Sequence, residues 1–141
     1  MGSMRLSKVI ISQLKRIKVN GGDVLHALKK TDIGFNSFGE AYFSIIDYNQ
    51  IKCWKRHNKM TMNIVVPIGK VKFVFYYEST KDFDVFEIGE NNYFRLTVPP
   101  GIWFGFMGLS KGNNLVLNIS DILHDTMEVE KAQQDFIKFK W

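Results

Sequence analysis

Three histidines, His26, His57 and His124, are the side chains of this chain best suited to proton transfer near neutral pH. His57 follows Lys55 and Arg56 directly. Cations around an imidazole lower its pKa and keep it neutral, which is the state that a general base requires. The local sequence leaves two interpretations of His57 open: a catalytic base, or an exposed loop histidine beside surface lysines.

The other two histidines have simpler structural interpretations. His124 precedes Asp125 in a loop-like segment, where the carboxylate could orient the imidazole. A turn or a helix cap is the favoured role for that pair. His26 shares a strand face with Val24, and this position is typical of a hydrogen-bonded core histidine.

The most distinctive segment runs from Val98 to Phe106 and combines prolines, glycines and aromatic residues. Pro99-Pro100 ends a strand. Gly101 and Gly105 allow a close backbone approach or a positive φ. The aromatic residues between these glycines either belong to the core or line the mouth of a ligand cavity, where a planar base or a sugar stacks.

The elements that must position these residues are mostly strands. About ten short strands separated by turn signals predict a β-sandwich or barrel. The segment 70–77 is the clearest strand, since Val71, Phe73 and Phe75 alternate with the other face. The acidic segment 78–90 is interpreted as a hairpin arm or a solvated loop. Only 121–136 permits a helix, so a short C-terminal helix is expected.

Length and composition limit the organisation of the chain. Its 141 residues, 45% hydrophobic and 23% charged, suit one globular domain, which we assign to residues 4–141. Met1-Gly2-Ser3 is interpreted as an expression scar. The single Cys53 excludes an internal disulfide framework and a cysteine zinc site, and it favours a reducing compartment. No signal peptide or membrane-spanning stretch is recognised, so a cytoplasmic protein is expected.

Charge and missing motifs exclude several function classes. The net charge is +5, but the lysines are scattered, which favours a soluble surface or a basic pocket for a phosphorylated small molecule over a nucleic-acid footprint. The sequence contains no GxGxxG, GxxxxGK[ST], GxSxG or HExxH motif. These absences count against dinucleotide oxidoreductases, P-loop enzymes, α/β-hydrolases and zincins.

Two spacings in the chain resemble the cupin motifs. Pro99-x-Gly101-x-x-Phe104 is similar to the second motif, PxGxxH, with Phe104 in the histidine position. His57, twelve residues before Gly69, resembles the last histidine of the first motif. Lys55 and Met62 occupy two further metal-ligand positions of that motif. One imidazole cannot hold a catalytic metal, so the resemblance implies a cupin without a metal or other cofactor.

Within the cupins, the chain resembles the dTDP-4-dehydrorhamnose 3,5-epimerase group over residues 22–129, as a divergent short member. The segments that carry the likeness are Gly22–His26, Phe38–Ser44, Trp54–His57, Val98–Trp103 and His124-Asp125. The resemblance implies an all-β jelly-roll sandwich barrel and a homodimer. It also implies a nucleotide-sugar substrate, a 4-keto-6-deoxy sugar of surface polysaccharide biosynthesis, with neither nucleic acid nor membrane as a partner.

The resemblance assigns the general base to His57, which removes the proton beside the 4-keto group. The family's lysine falls near Met62, its tyrosine near Leu117 and its early arginine at Gly21, so these three groups are missing. A phosphate could still be held by Lys52, Lys55 and Arg56. Aromatic side chains could still stack on the substrate or donate a proton. The expected substrate-binding residues are Lys55, Arg56, Tyr42, Tyr76, Trp103, Phe104, His26 and His124.

Three alternatives to a 3,5-epimerase stay open at this point. The first is a catalytically reduced cupin that binds a nucleotide sugar or saccharide, which the missing lysine and tyrosine support. The second is a sugar 3,4-ketoisomerase, which the chain resembles near Ser120-Asp121 and Asp125, although the paired histidines of that group are not present. The third and weakest is a nucleic-acid-binding protein.

Overall fold

The computed structural model describes residues 8–141, and the proposed expression scar at 1–3 lies outside them. Twelve strands and two single-turn 3-10 helices follow one another in this part of the chain. The strands are β1 (Ile10–Gln13), β2 (Arg16–Ile17), β3 (Val24–Leu25), β4 (Glu40–Ile46), β5 (Ile51–His57), β6 (Met62–Ile68), β7 (Lys70–Tyr77), β8 (Asp82–Gly89), β9 (Phe94–Val98), β10 (Trp103–Gly108), β11 (Asn114–Ser120) and β12 (Val129–Lys131).

Two five-stranded antiparallel sheets form the sandwich. One sheet has the order β1-β9-β6-β11-β4 and the other has the order β12-β5-β10-β7-β8, while β2 and β3 pair separately. The expected all-β cupin sandwich is therefore confirmed. The segment 78–90 contributes β8, which pairs with β7 along its whole length, so the hairpin arm is the correct interpretation. None of the helices within residues 8–141 is long and apolar enough to cross a membrane.

The core lies between the inner faces of the two sheets. On β7, Val71, Phe73 and Phe75 are at most 1% exposed and pack with Ile64 and Leu96 of the other sheet. The alternation predicted for this strand is confirmed, because Val74 belongs to a second apolar cluster on the outer face. Burial of such side chains is the main favourable term for folding.

The C-terminal segment forms no α-helix, so this expectation was wrong. Two three-residue 3-10 helices, Thr126–Glu128 and Gln134–Phe136, flank strand β12. The strand forms because the edge of β5 offers unpaired backbone groups, which 129–131 takes up. Asp125 accepts a hydrogen bond from the Met127 N–H at 2.9 Å and caps the first of these turns, as expected for the His124-Asp125 pair.

The two glycines of the distinctive segment serve the two purposes expected of them. Gly101 has a φ of +89°, in the left-handed region that favours glycine, and it follows the proline pair at the end of β9. A Cβ on Gly105 would lie 2.4 Å from the Cβ of Cys53. Strand β10 can therefore lie this close to β5 only because residue 105 has no side chain.

Asn114 fastens the turn between β10 and β11, and its loss is expected to destabilise the sandwich. The side chain is fully buried, its Oδ1 accepts from the N–H groups of Lys70 and Ser110, and its Nδ2 donates to the carbonyls of Ile46 and Ser110. Asn114→Ala leaves these backbone groups unpaired, so we expect it to lower the free energy of unfolding by about 2–4 kcal/mol in urea titrations.

The neighbouring Asn113 provides the matched control because its side chain is exposed. Asn113→Ala is expected to change the free energy of unfolding by less than about 0.5 kcal/mol. Equal stability of the two variants would contradict the role given to Asn114.

Candidate active site

A cavity of about 450 Å³ opens between the two sheets. Its walls come from the inner faces of β4, β6 and β11 on one side and of β5, β7 and β10 on the other, and β12 with the residue after it closes one edge. The lining side chains are Tyr42, Ser44, Lys52, Cys53, Trp54, Lys55, His57, Met62, Ile64, Phe73, Phe104, Phe106, Val116, Asn118, Lys131 and Ala132.

His57 is the last residue of β5 and is only 3% exposed, which excludes the exposed-loop interpretation. Its Nδ1 lies 2.5 Å from Oε2 of Glu128, a side chain that is itself 2% exposed. The other carboxylate oxygen of Glu128 accepts from the N–H groups of Lys59 and Met60 at 3.1 and 2.9 Å. The Phe104 ring stacks on the imidazole at 6.0 Å between centroids. The His57 imidazole is therefore fixed in one orientation.

The electrostatics of this pair favour a neutral imidazole beside a carboxylate. Burial lowers the pKa of His57, and the nearby charges of Lys55 and His124 lower it further. The hydrogen bond to Glu128 acts to raise this pKa but does not cancel those effects. Burial acts to raise the pKa of Glu128, but the hydrogen bonds from His57, Met60 and Lys59 outweigh it, so that pKa is lowered. Nδ1 consequently donates its proton to Glu128. Nε2, which makes no hydrogen bond within residues 8–141, keeps the lone pair of a general base.

Three lysines give the cavity a positive side. Lys55 faces inward two residues before His57, Lys131 pairs with it in register from β12, and Lys52 lines the same wall. Burial lowers the pKa of Lys55. The positive charge of Lys131 lowers it further, while Glu128 acts to raise it. This grouping of cations suits a ligand that carries phosphate or develops negative charge on oxygen.

The opposite wall carries Tyr42 on β4 and Asn118 on β11, which are direct partners in the antiparallel register. Asn118 donates from Nδ2 to the Tyr42 hydroxyl at 2.9 Å. Leu117, where the family tyrosine was expected, is the partner of Phe43, and the cavity is lined by its neighbours Val116 and Asn118 instead. Successive strand residues face opposite sides, which turns Leu117 away from the cavity. Within residues 8–141, Tyr42 is the tyrosine that lines it.

The structure brings four of the predicted site residues together in the cavity: His57, Lys55, Tyr42 and Phe104. Arg56, Tyr76 and Trp103 lie on the other face of the same sheet, because they alternate with inward-facing neighbours and pair in register with one another. There the Arg56 guanidinium covers the Trp103 ring at 4.6 Å and forms ion pairs with Glu78 and Glu130.

The remaining two predicted residues, His26 and His124, do not line the cavity either. His26 borders a separate cavity of about 370 Å³ that Arg95 also lines. His124 is exposed, and its N–H donates to Glu40 at 2.6 Å in a loop. Both are corrections to the expected binding site, since the short β3 and the 121–125 loop place these histidines away from the inner faces of the sandwich.

Sequence reasoning missed Glu128, Asn118 and Lys131. Glu128 lies 71 positions from His57, and both Glu128 and Lys131 fall in the segment expected to be a helix. The pairing of β12 with β5 brings Glu128 and Lys131 to the cavity, and no local sequence pattern predicts that pairing. Asn118 had a usable signal, because strict alternation along β11 places it on the same face as Val116.

Comparison with known proteins identifies the family. A dTDP sugar isomerase from Desulfovibrio desulfuricans G20 superposes with a TM-score of 0.90 at 36% sequence identity, over 96% of this chain and 91% of that one. The chain belongs to the dTDP sugar isomerase family. The sequence of this family member matches no protein-family model, and no curated protein matches it.

Two more distant structures share the fold of this dTDP sugar isomerase family member. One is a dTDP-4-dehydrorhamnose 3,5-epimerase from Sulfolobus tokodaii, with a TM-score of 0.80 at 17% identity, covering 93% of this chain and 80% of that one. The other is a histidine-to-asparagine mutant of a 3,4-ketoisomerase from Thermoanaerobacterium thermosaccharolyticum in complex with TDP-4-keto-6-deoxyglucose. It has a TM-score of 0.76 at 19% identity and covers 94% and 93% of the two chains. The resemblance stated from the sequence motifs is thus confirmed at the level of the fold.

The lowered pKa of His57 makes the stability of the protein depend on pH. An unfolded chain takes up a proton at this histidine near its ordinary value of 6.5, whereas the native ring takes it up only at lower pH. The free energy of unfolding should therefore decrease from about pH 7.5 to about pH 5, with a contribution from His57 below about 1.4 kcal/mol per pH unit.

Urea titrations across this range measure the slope in the wild type, in His57→Gln and in the control His26→Gln, whose side chain borders a separate cavity. We expect the slope to fall further in His57→Gln than in the control. A His57→Gln variant with the wild-type slope would show that the native ring takes up its proton near the ordinary value.

Proposed function

We propose that this chain is an epimerase or isomerase of a dTDP-4-keto-6-deoxy sugar, with His57 as the general base. The observation that carries the proposal is the buried His57–Glu128 pair, whose free Nε2 is available to a cavity of about 450 Å³. Its relative at 36% identity is a dTDP sugar isomerase. The more distant neighbours include a protein in complex with TDP-4-keto-6-deoxyglucose. A site that presents a neutral imidazole and several lysines suits the abstraction of a proton beside a keto group.

The first step is removal of a proton from the carbon next to the C4 carbonyl. His57 Nε2 takes the proton, and the electrons of the broken C–H bond form an enolate whose charge rests on the C4 oxygen. We assign the stabilisation of that oxygen to Lys55, the inward neighbour of His57 on β5, because it lines the cavity and carries a cation. Lys52 and Lys131 remain for the diphosphate of the nucleotide. Lys55 and Met62 at the cupin ligand positions support a mechanism without a resident metal.

The second step depends on which group returns the proton. Tyr42 belongs to the other sheet, so it faces the substrate from the wall opposite His57. Proton donation from that side inverts the carbon and gives an epimer. The second candidate function is a 3,4-ketoisomerase. His57 as a single base on one wall favours it, because one base can move a proton between neighbouring carbons on the same face of the sugar.

Solvent deuterium exchange tests the proposal. With dTDP-4-keto-6-deoxyglucose in D₂O, the wild type should incorporate deuterium beside the carbonyl, and NMR of the sugar ring reports which carbon exchanges. His57→Asn should lower this rate by at least about 100-fold, because the base is removed while the cavity keeps its shape. His26→Asn is the matched control and should exchange at the wild-type rate, since His26 lies in a different cavity.

The other outcomes separate the alternatives. A wild-type protein that broadens the thymine signals without exchange would be a binding module and not an enzyme. Exchange that persists in His57→Asn would assign the base to another residue. Exchange with a product whose keto group has moved to C3 would favour the ketoisomerase over the epimerase.

We also propose that the protein is a homodimer that works in the cytoplasm, in the synthesis of surface polysaccharide. The outer face of β4 and β11 carries six apolar side chains and no charge: Ala41, Phe43, Ile45, Leu115, Leu117 and Ile119. Phe43 and Ile45 are 63% and 56% exposed. Because the chain carries a net charge of +5, an uncharged face is where a second copy meets least repulsion. Cytoplasmic location and polysaccharide synthesis rest on the substrate class alone.

A charge placed in this face should dissociate the dimer. Phe43→Glu is expected to halve the mass measured by sedimentation at micromolar concentration, because two buried carboxylates would oppose each other across a two-fold interface. Met127→Glu is the control, since Met127 is 88% exposed and lies in the turn Thr126–Glu128, which is part of neither β4 nor β11. A monomeric wild type, or a Phe43→Glu variant that stays dimeric, would contradict the proposed interface.

A further inference from the structure

Asn118 and Tyr42 form a polar pair on the cavity wall that faces His57. They sit directly opposite each other in the register of β11 and β4, and both line the cavity. Asn118 is 7% exposed whereas Tyr42 is 40% exposed, so the amide is fixed in the wall and the phenol reaches towards the opening. Their hydrogen bond runs from Asn118 Nδ2 to the Tyr42 hydroxyl oxygen over 2.9 Å.

The direction of this hydrogen bond determines where the phenol proton goes. A tyrosine hydroxyl has one proton and two lone pairs. Because Asn118 donates to a lone pair, the proton of Tyr42 is not used in this contact, and the hydroxyl makes no other hydrogen bond within residues 8–141. The hydroxyl is therefore left as a donor for a ligand.

The other half of the Asn118 amide also lacks a partner. Its Oδ1 is buried and makes no hydrogen bond within residues 8–141. A buried amide oxygen without a partner costs free energy, and native structures nearly always pair such groups. In a wall of this cavity, the partner that fits an acceptor is an O–H donor of the ligand, and a sugar ring carries several.

We propose that Asn118 is a positioning residue that acts in two ways. Its Nδ2 holds the Tyr42 hydroxyl with the proton directed at the substrate, and its Oδ1 accepts a hydrogen bond from a hydroxyl of the sugar. This inference rests on the proposed function and deepens it, since it assigns the delivery of the second proton. No sequence motif and no named relative assigns a role to Asn118.

Asn118 supports the proton transfer that follows formation of the enolate. The electron pair of the enolate double bond takes the Tyr42 proton and forms the new C–H bond, while the C4 carbonyl re-forms. Tyr42 is left as a phenolate, to which Asn118 Nδ2 still donates. The proton held by His57 passes to solvent, and solvent returns one proton to Tyr42, so both groups are restored.

Asn118→Asp tests the positioning role because the carboxylate has nearly the same shape but cannot donate. It would instead accept the proton of the Tyr42 hydroxyl and turn that proton away from the substrate. With dTDP-4-keto-6-deoxyglucose in D₂O, we expect kcat for product formation to fall about 10- to 100-fold. Deuterium exchange into unconverted substrate depends on His57 and should stay within about threefold of wild type. Asn113→Asp is the exposed control.

A double variant distinguishes positioning from structural damage. If Asn118 acts through Tyr42, Asn118→Asp combined with Tyr42→Phe should form product no more slowly than Tyr42→Phe alone. Additive losses, or an equal fall of exchange and product formation in Asn118→Asp, would overturn the proposal, because both indicate general damage to the cavity.

Ligand binding tests the contact with the sugar separately from the reaction. Asn118→Leu should weaken the binding of dTDP-glucose about 5- to 30-fold and that of dTDP less than about twofold, since dTDP has no sugar ring at this position. Equal losses for the two ligands would overturn the contact. A wild type that exchanges normally, with normal Asn118 variants, overturns this inference alone. A wild type that neither binds dTDP nor exchanges overturns the proposed function together with it.

Discussion

The hydrogen bond between His57 and Glu128 is the interaction on which the site depends. It joins two side chains that are 3% and 2% exposed, where an unpaired charge would cost several kcal/mol. The carboxylate is paired three times, by the imidazole and by the backbone N–H groups of Lys59 and Met60. These bonds keep the glutamate ionised, fix the tautomer of the histidine, and leave its second nitrogen without a hydrogen bond within residues 8–141.

That hydrogen bond requires the small strand β12 to lie on β5. Val129 pairs with His57 in register, which brings the preceding Glu128 under the imidazole. Period-two alternation along the same segment then divides its side chains between two tasks. Lys131 lines the cavity, while Glu130 on the other face forms an ion pair with Arg56 over the Trp103 ring. The His57–Glu128 pair and the stack of Arg56 on Trp103 are therefore both held by one three-residue strand.

The sequence allowed the sandwich to be predicted, because strands such as 70–77 alternate apolar and polar residues within a short window. It also led to His57, since the cupin spacing to Gly69 and the following PxGxx segment are local patterns. Local sequence patterns could not identify Glu128 as the partner of His57, because their contact depends on a strand pairing across 71 positions. Arg56, Tyr76 and Trp103 were assigned to the cavity by residue type, although alternation with Lys55 and Phe104 sends them outward. Register decides which residue type reaches the ligand, and β5 and β10 shift their register between Phe104 and Phe106.

The cavity contains a phenol although Leu117 occupies the position where the family tyrosine was expected. Epimerisation in a site between two sheets needs a base on one wall and a donor on the other, but it does not need the donor on a particular strand. Leu117 cannot supply a phenol, and it belongs to the outward apolar face. Tyr42 on the neighbouring strand reaches the same wall, one strand further out, and Asn118 fills the position between it and the core. A leucine at position 117 therefore still leaves a phenol on the wall opposite His57, because the adjacent strand presents Tyr42 from a different backbone position.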